Sequence, residues 1–217
     1  MVRPSIISVN IGMPKVIRYA DREVSTAIFK ERVDTGALLT RTGFLGDKQG
    51  DLKNHGGLDK AACVHAFEHY PYWQEELKLK LAPGAFGENL TIAGMPEEAV
   101  CIGDLYQIGE AVVQVSQPRQ PCYKINIRLD AQNMPARIEE HGSTGYYLRV
   151  IEEGKIMNSD VPALLKRDPL GVSVAYVNRI THHEKDNTQG IERILSVEAL
   201  SDSWRDRLAA RLKDRPL

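Results

Sequence analysis

The 217-residue sequence has almost no net charge, few cysteines and no long apolar run, and each shortage removes a class of protein. Its 28 Lys and Arg residues face 29 Asp and Glu, a formal charge of -1, so no global field draws it to nucleic acid or an anionic membrane. No apolar stretch approaches the roughly 18 residues of a membrane span. The N-terminal MVRPSIISVNIGMP lacks the uninterrupted apolar core and small-residue cleavage site of a secretory signal. Three cysteines, Cys63, Cys101 and Cys122, are an odd number that argues against a disulfide framework and for a reducing compartment. The expectation is a cytoplasmic protein. No two glycines stand in G-x-G order and no phosphate-loop pattern occurs, which excludes the usual nucleotide fingerprints. Three scattered cysteines also fall short of the four thiolates usual for an iron–sulfur cluster. The chain carries no recognisable electron source of its own.

What is present reads as a globular protein, with 42% hydrophobic and 26% charged residues and a length suited to one large domain or a domain plus an appendage. Short strands with turns between them are expected at 5–10, 15–19, 26–29, 36–41, 61–66, 89–92, 106–115 and 146–151. Gly109-Glu110 suits a two-residue type II′ hairpin. So many short strands point to a barrel or sandwich. Two helices interrupt them, YPYWQEELKLKL with Pro71 in its first turn and NMPARIEEH with Pro135 at its start. After Pro169-Leu170-Gly171 the spacing becomes helical. In SDSWRDRLAARLKD, Ser201 or Ser203 can cap, and Trp204, Leu208 and Leu212 stand four apart. Three such short helices are expected to pack as a small bundle on the β part.

His65-x-x-Glu68-His69 matches the order of inverted zinc peptidases. That chemistry needs both histidines on one helical face, and Pro71 starts the helix too late for His65 to join it. A structural His65 and a helix-start His69 are the preferred reading. Three glycine-rich polar segments, TGFLGDKQGD (42–51), NHGGLDKA (54–61) and AFGENL (85–90), are each plain turns if taken singly. Together they offer Asp47, Lys48, His55, Lys60, Glu88 and Asn89, and glycine permits close backbone approach to a ligand. Cys63 and Cys101 lie in apolar surroundings and read as packing thiols. Cys122 differs, since QPRQPCYK places it after Pro121, with Arg119 and Lys124 nearby, all read as loop. A reactive or metal-binding thiol is better placed beside cations. The set suits a polar anionic ligand and a soft metal.

GFLGDKQGD, NHGGLDKA, FGENL followed by IGD, and VSQPRQPCYK, in this order, make the sequence similar to MOSC proteins. It most resembles their hydroxylaminopurine-resistance (YiiM-like) branch, related to the C-terminal domain of molybdenum-cofactor sulfurases. The resemblance covers nearly the whole chain and implies a mainly β fold with α additions. It divides into a MOSC β-barrel with inserted helices over 1–165 and a C-terminal three-helix bundle over 166–217. It implies molybdenum cofactor (molybdopterin) with Cys122 as the molybdenum ligand, and reduction of N-hydroxylated bases to the amine, a detoxification. Pyridoxal phosphate enters only as a family-level term, because no sulfurase aminotransferase pattern is present.

Under that resemblance a thiolate is the natural donor to a metal bound by soft sulfur. Arg119, Lys60 and Lys48 suit the cofactor's phosphate, and Lys124 joins the cofactor-binding set. Asn89 offers a donor and an acceptor to the pterin edge. His55 fits either cofactor contact or proton donation. Electrons must then come from a separate reductase. A rival reading keeps the cofactor, or a persulfide on Cys122, as the cargo of a non-catalytic carrier. A third is a plain interaction module. The three-helix tail fits a cover for the site, a reductase contact or a homodimer interface, and its sequence does not choose.

Overall fold

The computed structural model describes residues 3–48 and 56–213. The chain lays down β1 (Ser5–Ile11), β2 (Lys15–Tyr19), β3 (Arg22–Thr26), β4 (Glu31–Arg32), β5 (Ala37–Thr40) and β6 (Gly43–Phe44). β7 (Ala62–Ala66), β8 (Leu90–Ala93), β9 (Leu105–Ile108), β10 (Ala111–Pro118), β11 (Tyr146–Glu152), β12 (Gly154–Ile156) and β13 (Ala163–Lys166) follow. Burial alternates along β5, β9 and the first half of β10, whereas β7 is buried on both faces. Eight of these form one sheet in the order β13-β9-β10-β11-β7-β8-β1-β4. Its pairings are antiparallel except β7 with β8, which run parallel. The fold is mainly β with helical additions, as the sequence implies, and the sheet curls into a half-barrel. β12-β5-β6 and the ribbon β2-β3 make two smaller sheets.

Gly109 takes φ 58 at the turn that pairs Ile108 with Ala111, and Glu110 keeps negative φ, the type II′ arrangement expected. The strand expected at 26–29 does not form. β3 ends at Thr26, whose Oγ1 accepts the Ile28 N–H at 3.2 Å, and the chain turns away to line a cavity. β2 and β3 are joined by Ala20 and Asp21, with φ 47 and 60. That is a tight turn without the glycine that would have announced it.

Helix α1 (Tyr70–Leu77) carries Pro71 in its first turn, after a 3-10 turn over Phe67–His69. α2 (Lys124–Leu129) is a helix where the sequence reads loop, anchored by buried Ile125 and Leu129. α3 (Met134–His141) stops at Gly142, φ 82. In the C-terminal segment Ser173 caps α4 (Val174–Asn178), which runs into a π-turn over Arg179–His183. Asn187 caps α5 (Thr188–Leu195), and the Ser201 hydroxyl accepts the Trp204 N–H at 3.4 Å at the start of α6 (Asp202–Lys213). Ser201 rather than Ser203 is thus the cap.

Two apolar cores hold these parts. The larger joins sheet residues such as Val113, Val115 and Leu148 with Val174, Val177, Ile191, Ile194, Trp204 and Leu208 from the C-terminal helices. The helices therefore pack on the sheet and share its core. The smaller core gathers Tyr70 and Trp73 of α1, Phe86, Ile125 and Leu129 of α2, and Met134 and Ile138 of α3. No helix among the described residues is long and apolar enough to cross a membrane.

Candidate functional site

Beyond β10 the chain leaves the sheet. Arg119 N–H still donates to Gly145 O at 2.9 Å, then residues 120–123 turn into α2. Tethered to the sheet on one side and to the smaller core on the other, this turn sits at a cavity open to solvent. Lys48, Lys60, Asn89, Arg119, Cys122 and Lys124 all line it. Six residues chosen from four separate stretches of sequence thus converge on one place. The remaining candidate, His55, lies outside the described residues. The expectation that Lys124 sits in a loop is corrected, since it opens α2.

Two buried carboxylates organise the walls. Asp47 Oδ1 accepts from Gly12 N–H at 2.7 Å and from Lys30 Nζ at 2.5 Å, and Asp47 Oδ2 accepts from Asn89 Nδ2 at 2.9 Å. Asn89 Nδ2 also donates to Asn10 O at 3.2 Å, while Asn89 Oδ1 accepts Cys63 N–H at 3.2 Å. The amide donors are therefore spent inside the protein, so the pterin-edge role expected of Asn89 narrows to its oxygen. Glu88, fully buried, accepts from Tyr70 Oη at 2.5 Å, Thr91 Oγ1 at 2.6 Å, and the N–H groups of Gly84 and Phe86 at 3.0 and 3.1 Å. It pins the 84–89 turn, whose Phe86 O in turn accepts Arg119 Nη2 at 2.7 Å. The glycines of this turn answer to packing. A Cβ on Gly87 would meet Ile28 Cγ1 at 2.6 Å.

Lys30, Lys48, Lys60, Arg119 and Lys124 give the lining five cationic side chains against one carboxylate, Asp47, among the described residues. Burial lowers the proton affinity of Lys60, and Asp59 opposes that only in part. Burial acts the same way on Arg119, but Cys63, Tyr147 and Cys122 outweigh it, and the guanidinium stays charged. Burial pushes the Cys63 thiol up despite Arg119, and burial with Cys63 raises the Tyr147 hydroxyl. Such a cavity attracts anions and offers a soft donor at Cys122.

Cys63 corrects the sequence reading in part. It is buried, as a packing thiol should be, yet it lines the same cavity. Lys30 and Tyr147 were missed altogether. Lys30 follows the misplaced strand at 26–29, and Tyr147 faces the cavity only because β11 pairs it with Cys63. Cys101 is structural, its Sγ accepting from Arg167 Nη1 at 3.2 Å.

The H-x-x-E-H stretch makes no metal site. His65 lies on β7 with its ring stacked on Phe86 at 4.1 Å, and burial depresses it to about 3. His69 Nε2 is instead 2.6 Å from Glu97 Oε2, and Glu68 accepts the Gly94 N–H at 2.5 Å. No group of three or more metal-ligating side chains occurs among the described residues.

Known proteins share this sequence and fold. A sequence profile described as "MOSC domain" matches residues 51–161, and one described as "YiiM-like, 3-alpha helix domain" matches 172–215. The chain is 48% identical over 203 residues to "Uncharacterized protein YflK" of Bacillus subtilis (94% of this chain, 92% of that one). It is 37% identical over 215 residues to "Protein YiiM" of Escherichia coli (95% of each). A protein of Gibberella moniliformis named "Reductase" is 36% identical over 162 residues, 73% of this chain but 29% of its own length. The crystal structure of YiiM from Geobacillus stearothermophilus superposes with a TM-score of 0.83 at 38% identity, covering 96% of this chain and 99% of that one. The chain accordingly belongs to the MOSC family, in the YiiM-like group that carries the three-helix domain.

Proposed function

We propose that this chain is a molybdenum-cofactor-dependent reductase that converts N-hydroxylated compounds, such as hydroxylaminopurine, to the amine. One observation carries the reading. A thiol, Cys122, shares a solvent-open cavity with five cationic side chains and a single, internally bonded carboxylate. That donor set fits a cofactor with an anionic phosphate tail and a metal that prefers sulfur. Membership of the MOSC family and the reductase-named relative support it.

The net change is R–NHOH + 2e⁻ + 2H⁺ → R–NH₂ + H₂O. The bound cofactor supplies the two-electron chemistry at the N–O bond. The chain's residues bind and orient. Cys122 Sγ holds the metal, and Arg119 and Lys48 take the phosphate. Arg119 is fixed in aim because Phe86 O holds Nη2. Lys60, whose proton affinity burial lowers, is suited to giving up a proton where water leaves. His55 is a second proton donor, proposed on sequence alone. Without a flavin, nicotinamide or iron–sulfur motif, the electrons come from a separate reductase.

The test is molybdenum and pterin content per chain after expression in cofactor-producing cells, followed by benzamidoxime reduction with reduced methyl viologen. Metal near one per chain and amidine product are expected, with no turnover on NAD(P)H alone. If purified cofactor, added back, fails to bind, the reading is wrong. Metal without N–O reduction would favour a non-catalytic cofactor carrier.

A further inference from the structure

One side chain of the cavity carries a polar group that the protein itself leaves unused. Tyr147 lines the cavity and is only 8% exposed. Its hydroxyl makes no hydrogen bond among the described residues, yet it is not one of the polar atoms sealed from water without a partner. The hydroxyl therefore opens onto the cavity. Burial raises its proton affinity, Cys63 adds to that, Arg119 opposes it and Cys122 adds again. All three of these neighbours line the same cavity.

The sheet fixes where that hydroxyl stands. Tyr147 pairs with Cys63 of β7 on one side and with Gln117 of β10 on the other, and its carbonyl oxygen accepts the Ser116 hydroxyl at 3.0 Å. A tyrosine turns about two side-chain bonds, so one held by strands on both sides loses little freedom when it meets a ligand. The lysines of the lining reach the cavity on longer, flexible stems. Its other neutral oxygen- and nitrogen-bearing side chains are engaged within the protein. Asn89 Nδ2 donates to Asp47 and to Asn10 O, and Thr26 Oγ1 accepts the Ile28 N–H.

The five cations of the lining suit the anionic part of a ligand, and its uncharged end needs recognition of another kind. A phenol is neutral at ordinary pH and offers a donor and an acceptor. We propose that Tyr147 is the specificity-determining residue for the N–OH group: its Oη donates to the hydroxyl oxygen of the substrate beside Cys122, so that N-hydroxylated compounds are held in preference to the amines they become. The inference rests on the reductase reading above. It also gives the site a way to let product go, because loss of that oxygen as water removes the hydrogen bond. Proton delivery stays with Lys60, and Tyr147 keeps its proton throughout.

The test compares hydroxylaminopurine with adenine, the same base without the hydroxyl. Each is titrated calorimetrically into the oxidised, cofactor-loaded protein, which binds but cannot reduce. Wild type should prefer hydroxylaminopurine by about tenfold, the contribution of one hydrogen bond. Tyr147→Phe keeps the ring and loses only the hydroxyl, and it should bind both bases equally, at the wild-type affinity for adenine. Its molybdenum per chain and its denaturant midpoint should match wild type, because the hydroxyl supports nothing else. With reduced methyl viologen as donor, its KM for hydroxylaminopurine should rise by about the same factor. A wild type without the preference overturns the inference, as does a Tyr147→Phe variant that retains it. A lower midpoint overturns it by tying the hydroxyl to the fold, and a loss of molybdenum does so by tying it to the cofactor. If wild type shows the preference and reduces nothing, the reductase reading falls alone, and the titration still decides Tyr147.

Discussion

In the cavity, charged groups arrive from the exit of β3, the residues after β6, the turn at 58–60, the end of β10 and the start of α2, and cations outnumber the one carboxylate among the described residues. Around His65 the charged groups His69 and Glu97 form a matched pair instead. Glu97 is buried, within 2.6 Å of His69, and its Oε1 accepts the Gly145 N–H at 2.7 Å. Burial raises Glu97, but the His69 hydrogen bond and charge outweigh it, and burial lowers His69, which Glu97 outweighs in turn. The local motif that resembles a catalytic pattern is closed and neutralised, whereas the dispersed residues make the open, unbalanced site. A surplus of one charge at an opening is a capacity to bind, and a matched pair in the interior contributes only to the fold.

That contrast is sharpest at the thiols. Cys122→Ala should cut bound molybdenum to background and N–O reduction by at least about 100-fold, whereas Cys101→Ala should change neither. Metal analysis of both variants checks this, and equal metal in the two would break the distinction. Next in size, Glu88→Ala removes the acceptor for four donors at once. It should cost about 3 kcal/mol or more of stability, read from the denaturant midpoint. A loss below about 1 kcal/mol would mean the 84–89 turn does not depend on this carboxylate.

The histidine cluster gives a pH-dependent effect, spread over several pH units. His65 has a folded value of about 3, against roughly 6.5 unfolded. Below that unfolded value the unfolded chain takes up a proton the folded one refuses. Stability therefore falls as pH drops from about 6.5 toward 3, by up to about 1.4 kcal/mol per pH unit. His69, raised when folded, acts in the opposite window. Its contribution is present below its unfolded value and is lost as pH rises through the folded one. His65→Leu should flatten the acid side of the melting-temperature profile, and an unchanged slope would assign that slope to carboxylates. The smallest effect belongs to Lys124→Ala, which breaks one exposed bond to Ser25 O and should shift stability by no more than about 0.5 kcal/mol.

Strands with regular alternation and a helix with a proline start could be read from the sequence because local chemistry alone decides them. β10 and α1 are of this kind, while β7 and β11 could be read as short apolar runs bounded by turns. α2 could not, because KINIRL is six residues of weak local preference and is held by Ile125 and Leu129 in a core built from distant segments. The β2–β3 turn hid behind Ala20 and Asp21 for want of a glycine. At the site, Cys122 and its flanking cations announced themselves through prolines and spacing. Lys30 and Tyr147 did not, since each reaches the cavity through strand exit and register rather than through its neighbours. Asn89 was recognised as a member, but only its hydrogen bonds reveal that it supports Asp47.

The core shared between sheet and C-terminal helices has a consequence for substitution. Val174 and Val177 pack in the same cluster as Val113 and Val115, so the three-helix segment and β10 are coupled through side-chain volume. A change of side-chain volume on one side has to be answered on the other.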